Sequence, residues 1–372
     1  MEGRLVRLEP IDIPKHIDGL CDIQVYSPDA PQRFRYLFSN PPKIKEDTLA
    51  WLTSETAKFV YVIIDKNLNK VVGNLTLLSI IPEHGSIEIG VYFSDMISRK
   101  PGGTEAFYLI LRHIFDELKY RRVEWSSDGR HKESKNAALR LGFVYEALFQ
   151  QEMISKGVVI DNLWFSMLDQ DWSVVKQAFV KWLDPSNFDE RGIQKERLSD
   201  IRMRLEASLN VSIKPIDPPP PIITAEESEH NARTIDMSNW TPREKPSRKS
   251  IEGQHVRLEP LDISKHGDAL YKVCTQSDSE QRFRWLPEYP PKNREEFQTW
   301  LEKAQISEDP LYFVVIDKAS GTVAGRQTFL RIEINHGVIE IGHILWTSLI
   351  AKKPATTEAL YLFAKYIFDG KA

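Results

Sequence analysis

The residues best suited to chemistry in this chain are the run Arg99-Lys100-Pro101-Gly102-Gly103-Thr104. A short loop of small and cationic residues that opens a helix makes an anion seat. The first amide groups of a helix have no acceptor within it, and the helix dipole adds partial positive charge. Arg99 and Lys100 add full charges, Gly102 and Gly103 would let a phosphate approach the backbone, and Thr104 would cap a helix opening there. The run is not a Walker A loop, which ends in Gly-Lys-Ser/Thr. It is not a dinucleotide fingerprint either, because the strand before it belongs to a meander.

The run returns as Lys352-Lys353-Pro354-Ala355-Thr356-Thr357, and it is one of four ordered repeats. VRLEP at residues 6–10 recurs at 256–260, QRFRYL at 32–37 as QRFRWL at 281–286, and HGSIEIG at 84–90 as HGVIEIG at 336–342. Four matches in one order mean two copies of one domain rather than a solenoid. The expected organisation is a complete domain over residues 1–172, a helical extension over 173–210, a Pro-rich polar linker over 211–250, and a partial second domain over 251–372. The second copy stops where its helix should hand over to the next strand.

Composition excludes several classes. The chain has 372 residues, a formal net charge of −4 and 41% hydrophobic residues. That is ordinary for a soluble globular protein, without the basic face that nucleic acid needs. Cys21 and Cys274 lie in different copies and form no CxxC pair, which reads as two thiols in a reducing compartment, with no metal site. Charge begins at Glu2 and Arg4, against a signal peptide, and no apolar run reaches the roughly 20 residues that span a bilayer. A cytoplasmic location and no membrane partner are expected.

The elements that must position the loop read as an α/β chain. Strands are expected at 4–9, 59–65, 71–80, 86–94, 121–126, 143–154 and 159–168, where β-branched and aromatic residues run between Gly, Pro and Asn turns. Helices are expected at 14–25, 45–58, 104–118 and 133–141, the last ended by Gly142, then at 171–183 and 189–209. Pro218 to Pro221 favour polyproline II.

The series VRLEP, FVYVIID, HGSIEIG, RKPGGTEA and AALRLGF (137–143) resembles the GNAT superfamily of acetyl-CoA-dependent N-acetyltransferases, closest to the ribosomal-protein N-terminal acetyltransferase branch. The resemblance covers about residues 3–171 and 253 to the end. It implies a mixed, twisted sheet with helices on both faces. The fourth strand and the strand before AALRLGF would splay apart around the cofactor. Acetyl-CoA is the implied cosubstrate and a primary amine the acceptor, on a small molecule or a peptide N-terminus. The cofactor contacts implied are Val91, Phe93, Arg99, Lys100, Gly102, Gly103, Thr104 and His131. Glu88 stands where several members keep a glutamate base; it equally reads as a sheet-face carboxylate paired with a cation. A backbone N–H near Tyr92 would meet the oxyanion. Ser134 matches a proton donor to the leaving thiolate, and equally reads as a helix N-cap.

Departures from the pattern open a second reading, a catalytically degenerate fold that binds a cofactor or a partner. From the shared Gly to the shared Pro, copy one is one residue shorter (90–101 against 342–354), within the strand expected to bulge around the acetyl group. His131 stands where the family usually has asparagine, and Ala138 where many members keep a tyrosine. Arg33, Arg35, Arg282 and Arg284 either meet an acidic substrate or are solvated loop residues. Trp51 and Trp300 either line an acceptor pocket or pack on the sheet, with packing the favoured reading; His84 and His336 read as turn residues. Pairing of the two copies within the chain stays open.

Overall fold

The computed structural model describes residues 1–55, 59–213 and 236–369. The chain divides into two compact units, residues 1–239 and 240–372. Pro218 to Pro221, and the end of the helix expected at 45–58, lie outside the described residues.

Unit 1 runs β1 (Val6–Pro10), α1 (Ile13–Gln24), α2 (Ala30–Phe34), α3 (Lys45–Leu52), β2 (Val60–Asp65), β3 (Lys70–Ile81), β4 (Ser86–Phe93), α4 (Pro101–Arg112), β5 (Arg122–Asp128), α5 (Lys132–Leu141), β6 (Val144–Ser155), β7 (Val158–Leu168), α6 (Asp169–Leu183) and α7 (Leu198–Leu209). Seven strands form one sheet in the order β1-β2-β3-β4-β5-β7-β6. All neighbours are antiparallel except β4 and β5. Alternation along β2 shows how the faces divide. Ile63 packs with α4, α5 and α6, while Val62 and Ile64 pack with α1, α2 and α3. The sheet is therefore covered on both faces, as the resemblance implied.

Several boundaries differ from the sequence reading, each for a local reason. The helix expected from Thr104 begins at Pro101, because Pro at the first turn forfeits only an amide that has no intrahelical partner. The helix expected from residue 189 begins at Leu198: Asp189 accepts the amides of Arg191 and Ile193, folding the chain into a turn through Gly192 (φ +77°). The expected extension is part of the unit 1 core, since Trp172, Phe179 and Trp182 of α6 are buried in the same cluster as Phe107 and Leu111 of α4.

Unit 2 runs β8 (Ile251–Glu252), β9 (Val256–Pro260), α8 (Ile263–Cys274), α9 (Ser279–Phe283), α10 (Arg294–Ile306), β10 (Leu311–Asp317), β11 (Thr322–Glu333), β12 (Val338–Trp346) and α11 (Pro354–Asp369). Its sheet order is β12-β11-β10-β9-β8, so β12 is an edge among the described residues. The last part of the expected linker packs on this unit. The Trp240 indole donates to the Asn335 carbonyl, and the Ser247 amide to the Tyr366 hydroxyl.

Candidate active site

The site of unit 1 is built around a gap between two strands. β4 pairs with β5 over three residues only, Ser86, Ile87 and Glu88 against Arg122, Val123 and Glu124. Beyond that point β4 continues to Phe93 with β3 alone, and β5 to Asp128 with β7 alone. Ser94 donates its amide to Val72 of the β3 side. In an antiparallel ladder amides alternate sides, so the Tyr92 amide also faces β3, while those of Val91 and Phe93 face the gap. The oxyanion donor expected near Tyr92 is therefore not the Tyr92 amide. The Tyr92 side chain is structural as well: its hydroxyl donates to the Ile23 carbonyl at 2.7 Å, its ring packs on Phe34, and burial pushes the phenol up to about 12.

Glu88 sits at the last paired position, where the gap opens. Among the described residues it has no cation partner; its two oxygens accept the hydroxyls of Ser79 at 2.9 Å and Ser126 at 2.5 Å. Ser134 lies in the first turn of α5 and is not its cap, because His131 holds that position. The Ser134 oxygen accepts the Trp125 indole N–H at 3.0 Å, which leaves its own hydrogen to donate. His131 stacks on Tyr36 with ring centroids 5.0 Å apart, and burial holds its imidazole below the usual range. Tyr36 follows Arg35, whose guanidinium lies 5.1 Å over the same ring. Arg33 is bound to Ser98 and Asp95.

The loop 99–104 is only partly what its residues suggested. Arg99 and Lys100 are exposed at the N-terminus of α4. Gly102, Gly103 and Thr104 are buried. A Cβ on Gly103 would stand 2.9 Å from the Phe93 ring, and one on Gly102 would stand 3.1 Å from Val6, so both glycines let α4 pack tightly on the sheet. Thr104 does not cap the helix: it is the fourth helical residue, and its hydroxyl accepts from Arg140 at 3.0 Å. Arg99 has φ +60° and its repeat Lys352 has φ +61°. Such a left-handed non-glycine costs of order 1–3 kcal/mol, and both copies keep it at the same point of the loop.

Four residues at this site escaped the sequence reading. The Glu105 carboxylate accepts the amides of Arg4, Leu5 and Val6, tying β1 to the first turns of α4. Glu358 does the same for Gln254, His255 and Val256, so the repeated Thr-Glu-Ala was the available signal. Trp125 stacks on Phe107 and meets Phe143 edge-on; with Phe93 these rings bridge the gap on the α4 face. Arg140 stacks 4.8 Å over Trp182. Nothing in the sequence marked Ser126, Trp125 or Arg140.

The one-residue deletion has a clear structural meaning. In unit 1 the β3–β4 register runs unbroken from Leu78↔Glu88 to Gly73↔Phe93. In unit 2 the β11–β12 register shifts between Arg326↔Leu345 and Thr328↔Gly342, which is a bulge. His343, at φ +46°, lies within it and has no counterpart in β4. The first copy lacks the bulge and the second has it.

Among the described residues no group of His, Cys, Asp and Glu is suited to a metal ion, and no helix is long and apolar enough to cross a membrane. Residues 6–144 and 255–371 match the family described as acetyltransferase (GNAT) domain. A GCN5-related N-acetyltransferase structure from Brucella melitensis is 42% identical over 54% of this chain and 93% of its own, with a TM-score of 0.52. A probable GNAT-family acetyltransferase from Chromobacterium violaceum ATCC 12472 is 34% identical over 46% of this chain and 87% of its own, with a TM-score of 0.44. No protein of curated function matches. The family match covers both units, and the split between β4 and β5 is the geometry the resemblance implied: the chain belongs to the GNAT acetyltransferases.

Proposed function

We propose that unit 1 transfers an acetyl group from acetyl-CoA to a primary amine. The observation that carries the reading is the gap between β4 and β5, with a carboxylate at its apex and two strand amides facing into it. Arg99 and Lys100 would hold the pyrophosphate as cations at a helix N-terminus. Glu88 takes the ammonium proton. The freed nitrogen attacks the thioester carbon, the amides of Val91 and Phe93 stabilise the oxyanion, and the C–S bond breaks as the C–N bond is kept. As the intermediate collapses, its nitrogen sheds its second proton to Ser134 while the Ser134 hydroxyl gives its hydrogen to the departing thiolate, so the serine is restored. The acceptor is a small amine or a peptide N-terminus, the latter following the branch that the motif series resembles.

The test is titration of acetyl-CoA into the full chain, followed by turnover with an amine panel. Saturable binding that Arg99→Glu with Lys100→Glu abolishes supports the cofactor site; unchanged binding in that variant sinks it. A second reading, a cofactor- or partner-binding fold without turnover, is favoured by the missing bulge and by the rings across the gap. Turnover that disappears in Glu88→Gln refutes that second reading.

A further inference from the structure

Three consecutive residues fix the first turn of α4, the turn that follows the cationic loop. Gly103 lies against the Phe93 ring of β4, the Thr104 hydroxyl accepts from Arg140 of α5, and Glu105 accepts three amides of the chain entering β1. Unit 2 repeats the last of these through Glu358. The Arg140 contact differs in kind, because it reaches α4 from the half of unit 1 that follows β5.

Arg140 is itself held in place. It is the next-to-last residue of α5, and the carbonyl of its neighbour Leu139 accepts Arg202 of α7 at 3.2 Å. Its guanidinium lies 4.8 Å over the Trp182 ring, donates to Thr104 at 3.0 Å and meets no carboxylate among the described residues. Trp182 is buried, and its indole donates to Gln194 Oε1 at 2.7 Å. Burial, with no carboxylate to offset it, pushes the pKa of Arg140 below its ordinary value. A half-buried cation without an ion pair is unfavourable. What this one gains is a planar stack and a charge-assisted bond, which fix a direction that a flexible ammonium would not.

The loop needs such a hold. Arg99, two residues before α4, sits at φ +60°, and a left-handed non-glycine persists where its surroundings over-determine it. We propose that Arg140 is a positioning residue for the cofactor: through Thr104 it sets the first turn of α4, and with it Arg99 and Lys100, where they meet the pyrophosphate. The inference rests on the reading of unit 1 as an acetyl-CoA site. Arg140 acts through Thr104 and not through its own charge on the phosphates. Trp182 of α6 thereby becomes part of the support of the cofactor loop.

The experiment titrates acetyl-CoA into the full chain and into Arg140→Met, Thr104→Val and the double variant. All are measured well below the unit 1 melting midpoint, with calorimetry to show that each is folded. Methionine keeps an unbranched stem beside Trp182 and removes the donor. Valine keeps the shape of threonine and removes the acceptor, with the cation left in place. Each single variant should bind acetyl-CoA at least about fivefold more weakly, as loss of a charge-assisted bond does. The double variant should be no weaker than the worse single one, because both changes remove the same contact. A bond that serves folding alone would lower the midpoint and leave the affinity of the folded chain intact. Unchanged affinity in Thr104→Val therefore overturns the proposal, and so does a double variant whose loss is the product of the two single losses. Where Arg140→Met fails to fold, Thr104→Val decides by itself. A wild-type chain that binds no acetyl-CoA removes the reading of unit 1 as a cofactor site, and this inference with it.

Discussion

Glu105→Gln should loosen unit 1 at the loop proposed to hold the cofactor. The carboxylate accepts three amides, from Arg4 at 2.8 Å on one oxygen and from Leu5 at 2.6 Å and Val6 at 2.8 Å on the other. The side chain is buried, so water does not replace them. Glutamine can keep two of these bonds on its oxygen, now neutral, and must aim an NH2 group at the third amide. Hydrogen bonds to a charged group are worth about 1.5–3 kcal/mol, and the two that survive fall towards about 1 kcal/mol. One bond lost and two weakened come to roughly 2.5–7 kcal/mol. At about 2–4 °C per kcal/mol for a unit of this size, the midpoint should fall by roughly 5–28 °C. The assay is differential scanning calorimetry of the full chain, in which only the unit 1 transition should move. Glu358→Gln should lower the unit 2 transition alone and by less, because Glu358 is only half-buried and water can replace part of what it accepts. A shift under about 2 °C for Glu105→Gln would mean that the three amides are satisfied otherwise and that this carboxylate does not hold β1 to α4.

Three further outcomes follow from the same geometry. Glu9 is held at about 2 by hydrogen bonds from Lys15 and Arg7, so its contribution is complete above pH 4.5 and lost as pH falls from 4.5 towards 2. Glu9→Gln should flatten that acid limb in urea melts of unit 1, and an unchanged limb would refute the assignment. Burial pushes the Cys274 thiol up to about 11 despite Arg326 and Arg282 nearby, so it should resist a disulfide reagent at pH 8 until the chain is denatured; rapid labelling of the native chain would contradict this. Gly103→Val should destabilise unit 1 by roughly 1–3 kcal/mol, because the new side chain meets the Phe93 ring and the Ile97 carbonyl; an unmoved midpoint would show that α4 can shift.

The repeats, the order of strands and helices and the family all lie in contiguous segments, where period and turn chemistry suffice. The missing residue between Gly90 and Phe93 was also legible, and it is the missing bulge. The direction of the Tyr92 amide was not, because it depends on ladder parity counted from Ser94. Nor was the burial of Gly102 and Gly103, which depends on Val6 and Phe93 from distant strands.

The sequence by itself determined that this chain carries two copies of one α/β domain with a cationic loop before a helix, since local pattern and repetition need no third dimension. Tertiary structure alone decided what the carboxylates do. Glu88 meets two serines, Glu105 meets three amides of β1, and Glu288 meets a buried arginine and a bulge histidine. A carboxylate's role is set by which donors reach it, and in each case some of those donors lie too far along the chain for spacing to reveal them.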